Sequence, residues 1–147
     1  MLLGNYFNSI HKSYKKLFFS GISFDTRSIK KNNIFFAIKG NDIDGNRFIS
    51  KAIEKGSKII VSEQKIKDFR NGILFIRTKN IRKLLAEVSF KIYNKIPKNL
   101  VAVTGTNGKS SVAEFYLQIM KLNEKKVASI GTLGVKSKNI NLNLFNT

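Results

Sequence analysis

Apolar residues in this chain fall into short continuous runs separated by stretches with helical spacing. Ile22-Ser-Phe24, Ile34-Phe-Phe-Ala-Ile38, Lys58-Ile-Ile-Val61 and Gly72-Ile-Leu-Phe-Ile76 all have strand length. A run that is apolar at successive positions suits a strand buried on both faces, as in a parallel sheet. Between these runs, a helix from about Arg47 to Lys55 would bury Phe48, Ile49, Ala52 and Ile53, with Gly56 as its C-terminal stop. Asn80 can cap a further helix in which Ile81, Leu84, Leu85, Val88 and Ile92 form one stripe. Tyr6, Phe7, Ile10, Tyr14, Leu17 and Phe18 lie near helical spacing and predict a first helix within residues 1–20, broken by Gly21. Phe18-Phe19 and Phe35-Phe36 read as core, His11 as surface.

Pro97 is the only proline. It cannot continue a helix and restricts Ile96 to extended conformations, so a domain boundary is placed there. Beyond it the pattern predicts a strand at 100–103, a glycine loop and a helix from about Lys109 to Leu122. Val112, Phe115, Tyr116, Ile119 and Met120 would face its core. Lys126 to Ile130 would be a second parallel strand, followed by Gly131-Thr-Leu-Gly134. The predicted fold class is α/β: a small α/β domain over 1–97, then the start of a parallel-sheet phosphate-loop domain over 98–147. Two strands and one helix cannot cover both faces of a parallel sheet, so the chain is expected to end inside its second domain.

Composition narrows the function. A chain of 147 residues with 42% hydrophobic content and 12 Phe can pack a globular core. No apolar run approaches the ~20 residues of a bilayer span, and the N-terminus lacks a signal-peptide pattern. The absence of cysteine excludes thiolate metal sites and thiol nucleophiles. A cytoplasmic protein without membrane insertion is expected. The net charge of +18 would suit nucleic acid or a polyanionic substrate. The basic residues are dispersed from Lys12 to Lys138 with no aromatic RNA-binding signature, so no nucleic-acid partner is expected.

The candidate chemistry lies in Leu100-Val-Ala-Val-Thr-Gly-Thr-Asn-Gly-Lys-Ser-Ser111. A strand, a glycine loop and Lys-Ser at the mouth of a helix form a phosphate cradle. Backbone N–H groups and the helix N-terminus favour anionic oxygens. The pattern G-x-x-x-x-G-K-[ST] is not met, because Val103 stands where its first glycine belongs.

That variant resembles the ATP-binding loop T-G-T-N-G-K-[TS]-[TS] of the Mur ligase family. The loop alone would also fit folylpolyglutamate synthase. Upstream, Phe24-Asp-Thr-Arg27, Ile34-Phe-Phe-Ala-Ile-Lys-Gly40 and Asp44-Gly45 with Phe48 and Ala52 resemble the UDP-binding N-terminal domain of the two later muramyl ligases. Downstream, Ile130-Gly-Thr-Leu-Gly134 resembles the I-G-T-L-G of the branch that adds the third peptide residue, and Asn146-Thr147 the start of its N-T-T-P segment. The resemblance runs from about Phe24 to Thr147. It departs at Thr26, where serine is usual, and at Lys31-Asn-Asn33, which replaces a P-G-D turn.

The resemblance implies an ATP-dependent amide ligase of peptidoglycan synthesis with ATP and Mg2+ as cofactors. Its substrates would be UDP-N-acetylmuramoyl-L-Ala-D-Glu and an amino acid, diaminopimelate or lysine, and the enzyme would be a monomer. It places Gly105, Thr106, Asn107, Gly108, Lys109, Ser110 and Ser111 at ATP, with Lys109 as the catalytic group on the outer phosphates and Ser110 on magnesium. It places Phe24, Thr26, Asn41, Asp42, Ile43, Asn146 and Thr147 at the UDP-linked substrate. The family's remaining catalytic groups would follow Thr147, so the 147-residue chain alone is expected to be inactive. Other ligases of the superfamily and a basic nucleotide- or nucleic-acid-binding module remain as alternatives.

Overall fold

The computed structural model describes residues 1–8, 10–65 and 69–144. The chain divides into two units, Met1–Ile96 and Pro97–Thr147.

The first unit is built on a five-stranded sheet of β1 (Gly21–Ser23), β2 (Asn33–Phe36), β3 (Ile59–Ser62), β4 (Phe69–Arg70) and β5 (Ile73–Arg77), in the order β1-β2-β3-β5-β4. β1, β2, β3 and β5 run parallel, while the two-residue β4 pairs antiparallel with β5. The register sets Ile34 beside Ile59 and Ile59 beside Leu74, so residues of like parity share a face. Ile34, Phe36, Ile59, Val61 and Leu74 point to one side with Ile81 and Val88 of α2 (Ile81–Ile92) and with Leu3, Phe7 and Phe19. Phe35, Ala37 and Ile60 point to the other, against Ala52 of α1 (Ile49–Glu54). A sheet covered on both sides is what the unbroken apolar runs require.

The helices begin and end where polar chemistry allows. The Asn80 side chain accepts from Lys83 N and caps α2. Gly56 adopts φ 93° after α1, and its N–H closes on Ile53 O at 2.8 Å. The predicted helix from Arg47 divides into a 3-10 turn, Gly45–Phe48, capped by Asp44, and the short α1. Phe48 accordingly sits at the rim rather than in the core. Inside the sheet the fully buried Ser57 hydroxyl donates to Asn33 O at 2.7 Å, and no buried side-chain polar atom lacks a partner among the described residues.

The described residues among 1–20 do not form the predicted helix. They hold two 3-10 turns, Leu3–Asn5 and Lys12–Tyr14, and fold back on themselves. Leu3 N bonds Leu17 O, and Phe19 N bonds Met1 O, both at 2.9 Å. Gly4 lies so close to Lys15 that a Cβ there would approach its Cβ to 2.9 Å. Doubling back delivers Leu3, Phe7 and Phe19 to the α2 face together, and that burial outweighs local helical spacing. Phe18 is left 62% exposed, contrary to its reading as core.

The second unit contains α3 (Lys109–Leu122) and an antiparallel sheet of β6 (Ala128–Gly131), β7 (Gly134–Ser137) and β8 (Asn141–Leu142). α3 has the predicted bounds, but its predicted core stripe does not. Val112, Phe115, Tyr116 and Ile119 are exposed and Met120 half-buried, while Leu117 is the buried side chain. Spacing identifies an apolar face; burial needs a surface to pack on, and among the described residues of this unit only the Leu117 side finds one. Residues 100–103 are not in a sheet, and β6 pairs antiparallel with β7 instead of lying parallel to them. Thr132-Leu133 turns the hairpin, and Gly134, at φ 89°, lies where a Cβ would meet Leu142 O.

Replacing Phe36 by alanine is predicted to cost about 3–5 kcal/mol, whereas Phe18→Ala should stay within about 0.5 kcal/mol. Urea unfolding midpoints check the contrast; equal shifts would place Phe18 in the core.

Candidate substrate and nucleotide sites

Parallel strands release the chain at one edge, and in the first unit that edge carries Phe24, Thr26 and Asn41–Ile43 of the predicted substrate residues. After β1 comes the turn Phe24–Ser28. Asp25 accepts from Arg27 N at 2.8 Å and from Arg27 Nε at 2.8 Å, with Arg27 Nη2 at 2.6 Å. Ser23 Oγ donates to Asp25 O at 2.8 Å, and Lys55 Nζ, from the end of α1, donates to Thr26 O at 2.7 Å. The turn is thus bonded within itself and from a neighbouring element. Thr26 is buried within it, while Phe24 is 56% exposed.

After β2 the chain makes a second turn. Gly40 N donates to Ile43 O at 2.8 Å, and Gly45 N to Ile38 O at 2.9 Å. A Cβ on Gly45 would strike Ile38 O, so the return of the turn to its own strand requires glycine there. Asn41, Asp42 and Ile43 are held at the exposed tip, Ile43 at 61%. Since β1 and β2 are adjacent and parallel, the structure brings Phe24 and Thr26 to the same edge as Asn41–Ile43. Such a carboxyl edge is where open α/β sheets take ligands. Arg27, Lys39 and Arg47 lie on its loops, with Arg82 Nη2 donating to Lys39 O at 3.4 Å, so the edge is basic.

The carboxyls of Asp25 and Asp44 are each held below their ordinary value. The side-chain hydrogen bond from Arg27, then its backbone N–H, lowers the Asp25 carboxyl below its ordinary value against partial burial. Asp44 is lowered by the backbone and then the side-chain amide of Asn46.

Three contacts at this edge had no sequence motif. Ser62 Oγ, at the end of β3, donates to Asn46 Oδ1 at 2.7 Å. Glu63 Oε1 accepts from Ile81 N at 2.9 Å and supports the start of α2. The third is Lys55 on Thr26 O. Only the Asp-Gly-Asn turn chemistry around Asn46 hinted at a fixed side chain.

The second unit holds the glycine loop. Gly105 adopts φ 148° and Gly108 φ 74°, the latter as the residue before α3 with no side-chain cap. The first N–H groups of α3 therefore have no intrahelical carbonyl to meet. Lys109 Nζ folds over the loop, donating to Gly105 O at 2.5 Å and Thr106 O at 2.9 Å. Ser110 and Ser111 are exposed in the first turn. Open space around Gly108, orphan donors and a lysine across the mouth fit a phosphate group. No group of three His, Cys, Asp or Glu among the described residues could hold a metal alone. A hydroxyl such as that of Ser110, sharing an ion with phosphate oxygens, is the donor set magnesium takes. A cavity of about 390 Å³ beside Leu133, Lys136 and Asn143 contains none of the predicted site residues. Asn146 and Thr147 lie outside the described residues. No described helix is long and apolar enough to cross a membrane.

Comparison with known proteins bears on the family and the fold. Residues 19–99 match the family described as "Mur ligase family, catalytic domain". The match ends just before the glycine loop. The chain is 42% identical over 116 residues to UDP-N-acetylmuramoyl-L-alanyl-D-glutamate--2,6-diaminopimelate ligase of Rickettsia montanensis, covering 79% of this chain and 24% of that protein. It is 44% identical over 120 residues to the Clostridium tetani enzyme of the same name, covering 76% and 24%. The chain thus spans about a quarter of the length of the curated relatives it matches. A solved structure of such a diaminopimelate ligase superposes with a TM-score of 0.68 at 21% identity, over 90% of this chain and 27% of that one. The MurF ligase of Thermotoga maritima in complex with ADP superposes with a TM-score of 0.55 at 24% identity, over 71% and 24%. At these identities the superpositions show the fold.

A carboxyl whose folded pKa is depressed stabilises the fold above its unfolded value, and that contribution is lost as pH falls through the folded value. Arg27→Ala is therefore predicted to raise the Asp25 midpoint in an NMR titration. The stability gap between the two chains should stay constant at neutral pH and close on acidification. An unmoved midpoint would contradict the role of Arg27.

Proposed function

The chain belongs to the Mur ligase family, and from that premise we propose that it carries the UDP-substrate unit and the ATP loop of a ligase of peptidoglycan synthesis. The reaction is the ATP-dependent addition of the third amino acid to UDP-N-acetylmuramoyl-L-Ala-D-Glu. The relatives' names favour 2,6-diaminopimelate as that amino acid. Unit Met1–Ile96 takes the UDP end of the substrate, and unit Pro97–Thr147 opens the nucleotide-binding part. The enzyme acts as a monomer in the cytoplasm, where both nucleotide substrates are available.

One observation carries this reading. Thr104-Gly-Thr-Asn-Gly-Lys-Ser-Ser111 presents Gly108 in the left-handed region at the mouth of α3, with Lys109 across the loop. In the reaction a carboxylate of the substrate accepts the γ-phosphoryl group of ATP, and the incoming amine attacks the acyl phosphate, expelling phosphate. Two anions must approach each other, so the protein's task is to hold and neutralise them. Gly105 to Ser111 cradle the phosphates through backbone N–H groups, and Lys109 leaves its loop carbonyls for the outer phosphates. Ser110 Oγ is the ligand offered to a magnesium ion, which screens phosphate charge when bound.

In the first unit, exposed Phe24 and Ile43 offer apolar contact to the uracil ring, and Thr26, Asn41 and Asp42 lie at the same edge. The surrounding cations Arg27, Lys39, Arg47 and Arg82 suit the diphosphate. The charge of +18 then has a specific role at this edge without a nucleic-acid partner.

Calorimetric titration tests the reading. The chain is predicted to bind UDP-N-acetylmuramoyl-L-Ala-D-Glu and MgATP separately. Lys109→Ala should weaken ATP by about tenfold or more, as expected for a hydrogen-bonded charge, and leave the UDP-sugar unaffected. Oligonucleotide binding that survives moderate salt, without UDP-sugar binding, would replace the ligase reading by the nucleic-acid one.

A further inference from the structure

The turn carrying Asn41–Ile43 is bonded mainly to itself and to its own strand, through Gly40 N to Ile43 O and Gly45 N to Ile38 O. A turn held by one strand can pivot about its stem. Its link to the next strand is the bond from Ser62 Oγ of β3 to Asn46 Oδ1, 16 residues apart in sequence and 2.7 Å long. We propose that Asn46 and Ser62 act together as positioning residues, fixing the Asn41–Ile43 turn against the sheet so that it meets the UDP-linked substrate in one orientation. The inference rests on the proposed substrate of this edge.

Hydrogen-bond capacity makes the arrangement unique. Ser62 Oγ already accepts from Gln64 N at 3.0 Å, so its single proton is free to go to Asn46. That sets Asn46 Oδ1 toward Ser62 and Nδ2 toward Asp44, whose Oδ1 it meets at 2.7 Å. Asp44 Oδ1 also accepts Asn46 N at 2.9 Å, and Asp44 closes the turn by its bridge to Lys39. Flipping the amide would oppose two acceptors at Asp44 and leave Ser62 without one. Ser62 is 3% exposed, so water cannot readily replace its partner. Asn46 is half-exposed, and its truncation leaves the core intact. Neither side chain needs to touch the ligand.

The experiment compares the affinity of the 147-residue chain for UDP-N-acetylmuramoyl-L-Ala-D-Glu across Asn46→Ala, Ser62→Ala, the double variant and Ser57→Ala. Each single variant is expected to weaken binding about three- to tenfold, as for one lost hydrogen bond. The double variant should be little worse than either single, because both remove the same bond. Ser57→Ala is the control: it removes a fully buried hydroxyl bonded to Asn33 O at the amino end of the sheet. It should lower the urea midpoint yet hold affinity within about twofold. Amide hydrogen exchange at Gly40 and Gly45 should rise in the Asn46 and Ser62 variants and not in Ser57→Ala. Wild-type binding with unchanged affinity in both single variants, or an equal loss in Ser57→Ala, overturns the positioning role alone. A wild-type chain that binds no UDP-sugar overturns the proposed substrate and this inference with it.

Discussion

Parallel pairing of β1, β2, β3 and β5 is the constraint from which the first unit follows. Parallel strands of this kind need cover on both faces, and each must be followed by a connection that returns to the starting edge. The cover comes from α1 on one side and from α2 with the folded-back N-terminal segment on the other. The returns gather the turns after β1 and β2 at one edge, both carrying polar and basic residues and the second framed by Gly40 and Gly45. The edge proposed to take substrate is thus a topological product of burying Phe35 and Phe36 on opposite faces.

Charge is handled differently in the two units. At the sheet edge, Asp25 and Asp44 spend their capacity inside their own turns, on Arg27 and Asn46 respectively, which shapes the turns around acidic groups. In the glycine loop the reverse holds. Lys109 is bonded to the backbone carbonyls of Gly105 and Thr106, weaker partners than a phosphate oxygen. A phosphate oxygen would therefore displace these carbonyls as the partner of Lys109. Gly108 makes the geometry available because its φ of 74° is costly for residues with a Cβ.

How much was legible depended on whether one segment or several decided the outcome. Ile34 to Ile38 and Lys58 to Val61 were readable because a doubly buried strand writes its environment into every position. Gly56 and Asn80 were readable because caps are local chemistry. The N-terminal segment was not: its aromatic residues satisfy helical spacing, but the pairing of Leu3 with Leu17 decides its path. α3 kept its bounds and lost its predicted face, since periodicity fixes which residues share a stripe and not what covers it. The two-residue β4 leaves no pattern to detect. Of the site, motif glycines and the lysine stood out, whereas Asn46 and Ser62 did not, because a hydrogen bond across 16 residues has no period.

On the proposed reading, the UDP-linked substrate sits at the carboxyl edge of the parallel sheet. Amide chemical-shift mapping of the isotopically labelled chain during titration with UDP-N-acetylmuramoyl-L-Ala-D-Glu tests it directly. The largest shifts are expected at Phe24, Thr26 and Asn41 to Ile43, with the amino-terminal ends of β2 and β3 unmoved. Saturating shifts centred on Asn33, Ser57 and Lys58, at the opposite edge, would contradict it.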